Sequence, residues 1–94
     1  MICFEISVNG RKVHTIGLPE GLLATYVSYV KHPGSSAKEE GPDIVARGQT
    51  PYDEKLLWGG FGRLRVGDAV TIRVVESDSP DAPTSRERIA KKDA

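Results

Sequence analysis

Hydrophobic and polar residues alternate at the start of the chain. The apolar positions there are every second residue: Ile2, Phe4, Ile6 and Val8. Alternation with a period of two is typical of a half-buried β-strand. Asn9-Gly10 follows directly, and this dipeptide suits a type I′ turn because both central residues of that turn need a positive φ. The pattern predicts an N-terminal β-hairpin. In its register Ile6 faces Val13 on the core side, and Glu5 faces His14 on the other side.

Residues 18–32 change to a helical period. Their apolar positions form one stripe of an amphipathic helix: Leu22, Leu23, Tyr26, Val27 and Val30. Pro19 suits a first turn, and Pro33-Gly34 suits a stop. A strand through the same residues competes because Thr, Tyr and Val favour sheets, but it scatters the apolar residues over both faces. We therefore predict a helix over 18–32.

The rest of the chain predicts a short strand at residues 43–48, an irregular stretch over 50–61 and a closing strand. The core face of the closing strand holds Val70, Ile72 and Val74. Residues 77–94 contain two prolines and eight charged residues but few apolar ones, so burial does not offset the entropy of ordering them. We predict one α+β domain over residues 1–76, with a single helix packed on a mixed sheet of four or five strands, and a disordered tail over 77–94.

This order of elements, with the Asn9-Gly10 hairpin, resembles the ubiquitin-like β-grasp superfold, in which the last strand lies in the sheet beside the first. The resemblance covers about residues 1–76 and implies a surface suited to binding other proteins. Carrier proteins of this superfold use a C-terminal Gly-Gly. The only Gly pair here, Gly59-Gly60, is internal. We therefore do not expect a conjugation or sulfur-carrier role.

Charge and composition exclude several classes of protein. Thirteen Lys and Arg residues balance thirteen Asp and Glu residues, whereas a nucleic-acid module that holds many phosphates usually has a basic excess. The single cysteine, Cys3, excludes an internal disulfide framework. No apolar run approaches the roughly 20 residues that span a bilayer. We expect a cytoplasmic protein with no nucleic-acid or membrane partner.

Catalytic and cofactor motifs are sparse. The predicted hairpin places Cys3, Glu5 and His14 on one sheet face. A thiolate beside an imidazole that a carboxylate orients is an arrangement used in nucleophilic catalysis. The simpler interpretation is a surface pair between His14 and Glu5 beside a small apolar cysteine. The two histidines have no metal-ligand spacing, and the glycine run after Trp58 lacks the Gly-Lys-Ser/Thr ending of a phosphate loop. We predict no catalytic residue, cofactor or metal.

A glycine-rich aromatic run and the charges that follow it form the candidate interaction surface. Residues 38–54 carry five acidic residues against two basic ones, and residues 55–76 carry four basic against two acidic. Complementary charge of this kind steers protein docking. Trp58 is either part of a thin core or an exposed anchor for a partner. The predicted partner contacts are Trp58, Phe61, Arg63, Arg65 and Arg73.

The function predicted from these features is a non-catalytic protein-interaction module with an unidentified protein partner. The alternative is a small ligand-binding or enzymatic domain that uses the loop over residues 58–65. The edge of the strand at residues 43–48 makes either a monomer or a weak homodimer possible.

Overall fold

The computed structural model describes residues 1–30, 33–34 and 41–88. All secondary-structure elements in this part of the chain are β-strands. The strands are β1 (Ile2–Val8), β2 (Arg11–Gly17), β3 (Leu22–Ser28), β4 (Asp43–Gln49), β5 (Glu54–Trp58), β6 (Val70–Glu76) and β7 (Ser85–Arg88). All pairings between them are antiparallel. One sheet has three strands in the order β2-β1-β6, and the other has four in the order β3-β4-β5-β7.

The core lies between the two sheets. The three-stranded sheet contributes Ile6 and Ile16. The four-stranded sheet contributes inward-facing residues from its two central strands: Ile44, Ala46, Leu56 and Trp58. Leu64 closes the cluster from the segment between β5 and β6. Two sheets that bury one face each against the other make an all-β fold. The predicted α+β class is therefore wrong.

The predicted helix over 18–32 is also wrong, because β3 occupies its centre. β3 pairs with β4 along its whole length, from Leu22 opposite Gln49 to Ser28 opposite Asp43. The helical stripe in the sequence arises because β3 carries apolar residues on both faces: Leu23 packs against the core, while Leu22 and Tyr26 are exposed. The outer face of such a strand is not wholly polar, so the strand lacks the alternation of apolar and polar residues that marks a half-buried strand.

The β-grasp arrangement, which has a helix packed on a mixed sheet, is not supported, because the described residues form no helix. The closing strand β6 does lie beside β1, but the two are antiparallel. The strand predicted at 43–48 is present as β4, although it lies inside its sheet and not at an edge. The stretch over 50–61, predicted to be irregular, contains β5. No helix in the described residues is long and apolar enough to cross a membrane.

Residues 77–88, predicted to begin a disordered tail, are part of the fold. The Ser77 amide donates to the Met1 carbonyl, and the Asp81 amide donates to the Thr15 carbonyl. The chain then reaches the other sheet, where the Thr84 amide donates to the Leu57 carbonyl and β7 pairs with β5. These backbone hydrogen bonds hold a polar segment that has little apolar surface to bury. The remaining residues of the predicted tail, 89–94, lie outside the described residues, as do 31–32 and 35–40.

The predicted hairpin is present, but its register changes after two residue pairs. Asn9 and Gly10 have φ angles of 52° and 80°, as a type I′ turn requires. Ser7 lies opposite Lys12, but Ile6 lies opposite His14, so Val13 is the extra residue of a β-bulge. The predicted pairs of Ile6 with Val13 and of Glu5 with His14 are therefore wrong. The bulge turns His14 to the face of β2 that packs inward with Ile6.

Candidate functional site

His14 occupies a polar junction at the end of the core. Its Nδ1 lies 2.9 Å from Oδ2 of Asp81, and its Nε2 lies 2.8 Å from the Gly59 carbonyl oxygen. The rings of Phe61 and His14 make an edge-to-face contact with a centroid separation of 5.2 Å. The bulge at Val13 makes this position possible, because the regular register points His14 to the opposite face.

The two ring nitrogens of His14 each face a hydrogen-bond acceptor. Both neighbours of the imidazole are acceptors, a carboxylate and a carbonyl. A neutral imidazole carries one ring proton and donates to only one of them, whereas a ring protonated on both nitrogens satisfies both. The hydrogen bond from His14 is the main cause that lowers the pKa of Asp81, with a smaller contribution from the Thr15 amide. Asp81 thus accepts from a side chain and from the backbone of the same strand.

Trp58 completes this junction from the other sheet. Its side chain is buried, with 2% of the residue exposed, and its Nε1 donates to the Asp81 carbonyl at 2.8 Å. The Gly59 amide donates to Oγ1 of Thr84, which in turn donates to the Leu57 carbonyl. We name the set His14, Trp58 and Asp81 the His14 cluster. Its contacts connect both sheets to the segment after β6, which is a structural role.

The structure does not assemble the nucleophile suggested by Cys3, Glu5 and His14. Cys3 and Glu5 alternate with Phe4 and Ile6, which face the core, so they point to the outer side of the three-stranded sheet. Cys3 is fully buried there, with Sγ 3.7 Å from the Met1 carbonyl oxygen. His14 points inward. Within the described residues, no three His, Cys, Asp or Glu side chains are grouped to hold a metal ion.

The five predicted partner contacts occupy different environments. Trp58 is in the core, and Phe61 is half-buried against the core and His14. The three arginines are exposed. Arg63 forms an isolated β-bridge with Asp43, while Arg73 lies on β6 opposite Glu5 of β1. The structure therefore does not leave the Trp58 indole on the surface, and a binding role for the other four residues stays a prediction.

Arg65 belongs to a turn that its backbone amide helps to fix. Its amide donates to Oδ2 of Asp68 at 2.7 Å. The other oxygen of Asp68 accepts from Nδ2 of Asn9 at 3.0 Å, and the Ala69 amide donates back to Oδ1 of Asn9. The hydrogen bond from Asn9 is the largest cause that lowers the pKa of Asp68. This network ties the hairpin turn to the loop before β6.

The outer face of the four-stranded sheet carries a group of exposed apolar side chains that the sequence did not single out. Leu22, Tyr26 and Leu57 have 42–56% of their surface exposed. The pairing registers place Arg47 between them, because it lies opposite Ala24 on one side and Leu57 on the other. The Arg47 guanidinium carbon lies 5.8 Å from the centre of the Tyr26 ring, a cation–π distance.

A shallow cleft of about 490 Å³ runs over this face, and its lining includes Leu22, Arg47, Gln49, Lys55, Leu57 and Glu87. Two cations, Arg47 and Lys55, lie along it, and Glu87 lies at its β7 end. We name the set Leu22, Tyr26, Arg47 and Leu57 the outer-face cluster. The sequence signal that could have identified it is the presence of apolar residues on both faces of a strand through residues 22–28.

Comparisons with protein-family models, with curated proteins and with solved structures gave no match to this chain.

Proposed function

We propose that this protein is a non-catalytic protein-interaction module that binds its partner through the outer-face cluster. The observation that supports the proposal most strongly is the grouping of Leu22, Tyr26 and Leu57 around Arg47 on neighbouring strands. A sheet face that looks to water usually carries polar residues at such positions. Exposed apolar residues gathered in one place are typical of interaction sites.

The residue types in the cluster suit an interface centre. Tyr and Arg are enriched among the few residues that dominate binding free energy. Burial of the leucines supplies about 25 cal/mol for each Å² of apolar surface removed from water. The contact of Arg47 with the Tyr26 ring orients the guanidinium before a partner arrives, so less side-chain entropy is lost on binding.

The charges on the cleft favour a partner segment that carries a carboxylate beside apolar side chains. Arg47 and Lys55 lie along its middle, and Glu87 lies at its edge. An apolar segment that carries a carboxylate places its side chains against Leu22 and Leu57 and its charge against Arg47. The hydrogen-bonded strands hold these groups in fixed positions, which favours specificity.

The proposal is tested by affinity capture from the native host with two matched double variants. Arg47→Glu/Leu57→Ser alters the outer-face cluster. Arg63→Glu/Arg73→Glu alters the arginines predicted from sequence. All four residues are exposed, and urea unfolding checks that each variant is folded before the capture experiment. The expected result is a partner that the wild type and the Arg63→Glu/Arg73→Glu variant retain, and that the Arg47→Glu/Leu57→Ser variant loses.

The captured partner is then purified and titrated against each variant. Loss of an interface hot spot of about 2 kcal/mol raises the dissociation constant about 30-fold. We expect at least that increase for Arg47→Glu/Leu57→Ser. The opposite result contradicts the proposal. If Arg47→Glu/Leu57→Ser keeps full affinity and Arg63→Glu/Arg73→Glu loses it, the binding site lies at the arginines.

A further inference from the structure

β3 is an edge strand of unusual composition. It is the terminal strand of the four-stranded sheet, and within the described residues no strand pairs with its outer side. Its seven residues, Leu-Leu-Ala-Thr-Tyr-Val-Ser, include no charge, no proline and no glycine. In an antiparallel sheet, alternate residues of such a strand turn their N–H and C=O groups away from the sheet. β3 therefore presents a row of backbone donors and acceptors that no other described strand uses.

The other three edges each carry a feature that opposes pairing with another chain. β2 carries Arg11, Lys12 and the bulge at Val13, and Asp81 occupies its edge at Thr15. β6 carries Arg73 and Glu76. β7 has only four residues, three of which are charged. Natural sheets protect their edges with charges, bulges and short strands. β3 has none of these features.

We propose that β3 pairs with β3 of a second copy of this chain, antiparallel about a two-fold axis at Thr25. This register overlaps all seven residues of both strands. This register sets Leu23 opposite Val27 and Ala24 opposite Tyr26. Each apolar residue next to the axis therefore lies opposite another apolar residue, and no two like charges lie opposite each other. An isologous interface requires such self-complementarity. The two four-stranded sheets then form one continuous sheet.

Thr25 supplies a second, independent observation. Its Oγ1 is buried and has no hydrogen-bond partner among the residues that the structure describes. A buried polar atom without a partner is rare in a native structure and requires an explanation. Two threonines directly opposite each other in an antiparallel pair hydrogen-bond through their hydroxyl groups. The two-fold axis at Thr25 creates that pair, and a rotation about χ1 that brings each Oγ1 from the core side to the strand edge lets the two hydroxyl groups hydrogen-bond.

A second copy fits better than a segment of another protein. β3 carries no charged residue that would select a partner of opposite charge, and its own sequence is complementary to itself in this register. The two-fold arrangement also keeps directly opposite residues on the same face of the sheet. The outer-face clusters of both copies therefore lie on one side of the continuous sheet. The inference stands without the proposed function, since it depends on the strand edge and not on the cleft.

Sedimentation velocity over micromolar to millimolar protein tests the pairing. We expect the wild type to convert from monomer to dimer with increasing concentration. Val27→Lys places a cation at the pairing edge, and we expect its dimer dissociation constant to rise at least tenfold. The matched control is Val74→Lys on the β6 edge, where the valine is 65% exposed against 49% for Val27. We expect this control to dimerise like the wild type.

Thr25→Val tests the position of the axis. It removes only the unpartnered hydroxyl, so we expect the stability of the monomer to stay equal or to rise. Loss of a hydrogen bond of about 1 kcal/mol between the two threonines raises the dimer dissociation constant about fivefold. Unchanged dimerisation in Thr25→Val contradicts an axis at Thr25.

Two outcomes overturn the inference as a whole. The first is a wild type that stays monomeric over the full concentration range, which leaves a segment of another protein as the occupant of the edge. The second is equal loss of dimer in Val27→Lys and Val74→Lys. Failure here is distinct from failure of the proposed function, because we expect Arg47→Glu/Leu57→Ser to keep the dimer and Val27→Lys to keep the captured partner.

Discussion

His14 and Asp81 are hydrogen-bonded at 2.9 Å across 67 positions of sequence. This contact, with the one from Trp58 to the Asp81 carbonyl, holds the segment after β6 against both sheets. The segment continues into β7, which covers the β5 edge of the four-stranded sheet. The His14 cluster therefore holds in place the segment that completes the four-stranded sheet.

Asp81→Ala is expected to destabilise the protein. It removes the acceptor of both the His14 ring and the Thr15 amide. Hydrogen bonds to charged groups are each worth about 1.5–3 kcal/mol, but the Asp81 side chain is 48% exposed, so we expect a loss of about 1–2 kcal/mol in the free energy of unfolding. Urea unfolding measures it. Asp78→Ala, at an exposed position on the same segment, is the matched control and is expected to stay within about 0.5 kcal/mol of wild type.

Acid is expected to destabilise the protein through Asp81 and Asp68. The folded state lowers the pKa of Asp81, mainly through the hydrogen bond from His14, and lowers the pKa of Asp68, mainly through the hydrogen bond from Asn9. A lowered pKa contributes stability that is fully present above the ordinary aspartate pKa and is lost as pH falls through the folded value. Urea midpoints of the wild type should therefore decrease below about pH 4.

The Asp81→Asn/Asp68→Asn variant tests this assignment, because neither amide titrates. We expect it to be less stable than the wild type at neutral pH and to lose less stability in acid. An acid dependence as steep as that of the wild type contradicts the assignment.

Gly17→Ala is expected to destabilise the region where the segment after β6 crosses the three-stranded sheet. A Cβ at Gly17 meets Sγ of Cys3 at 2.6 Å and Cβ of Pro80 at 3.2 Å. Overpacking of this kind costs about 1–3 kcal/mol. Gly59→Ala is the control, because its Cβ meets only the Thr84 hydroxyl at an ordinary 3.5 Å. If the clash with Sγ is the cause, adding Cys3→Ala to Gly17→Ala recovers part of the loss, and a purely additive double variant excludes this cause.

Trp58→Phe is expected to lower stability by about 2–4 kcal/mol. The change opens a cavity in the core and leaves the Asp81 carbonyl without its donor. Because Trp58 is the only tryptophan, its fluorescence reports the burial directly in the wild type. We expect blue-shifted emission and weak quenching by acrylamide. Emission typical of an indole in water would contradict the core position and would show that Trp58 is exposed on the surface.

The sequence predicted those elements whose two faces differ clearly. β1, β2, β4 and β6 alternate apolar and polar residues or have turn residues beside them, and all four are present. β3 was missed because apolar residues on both of its faces imitate a helical stripe. Its outer residues look outward to water in the single chain, so the deviation from the expected pattern coincides with the candidate interface.

The His14 cluster was not predictable for a different reason. The bulge at Val13 changes the register by one residue, and no residue type at this position signals it. The segment over 77–88 is polar and looks disordered by composition, but it is held by hydrogen bonds to distant backbone groups at Met1, Thr15 and Leu57. Composition reports how much apolar surface a segment buries and carries no information on such long-range hydrogen bonds.

The most direct test of the central claim, that the partner docks on the outer-face cluster, is site-specific photo-crosslinking in the native host. A photoreactive phenylalanine analogue replaces Tyr26 in one strain and Arg73 in another. We expect one protein adduct from position 26, absent when Arg47→Glu is added, and no such adduct from position 73. An adduct from position 73 alone, or an adduct from position 26 that persists with Arg47→Glu, would contradict it.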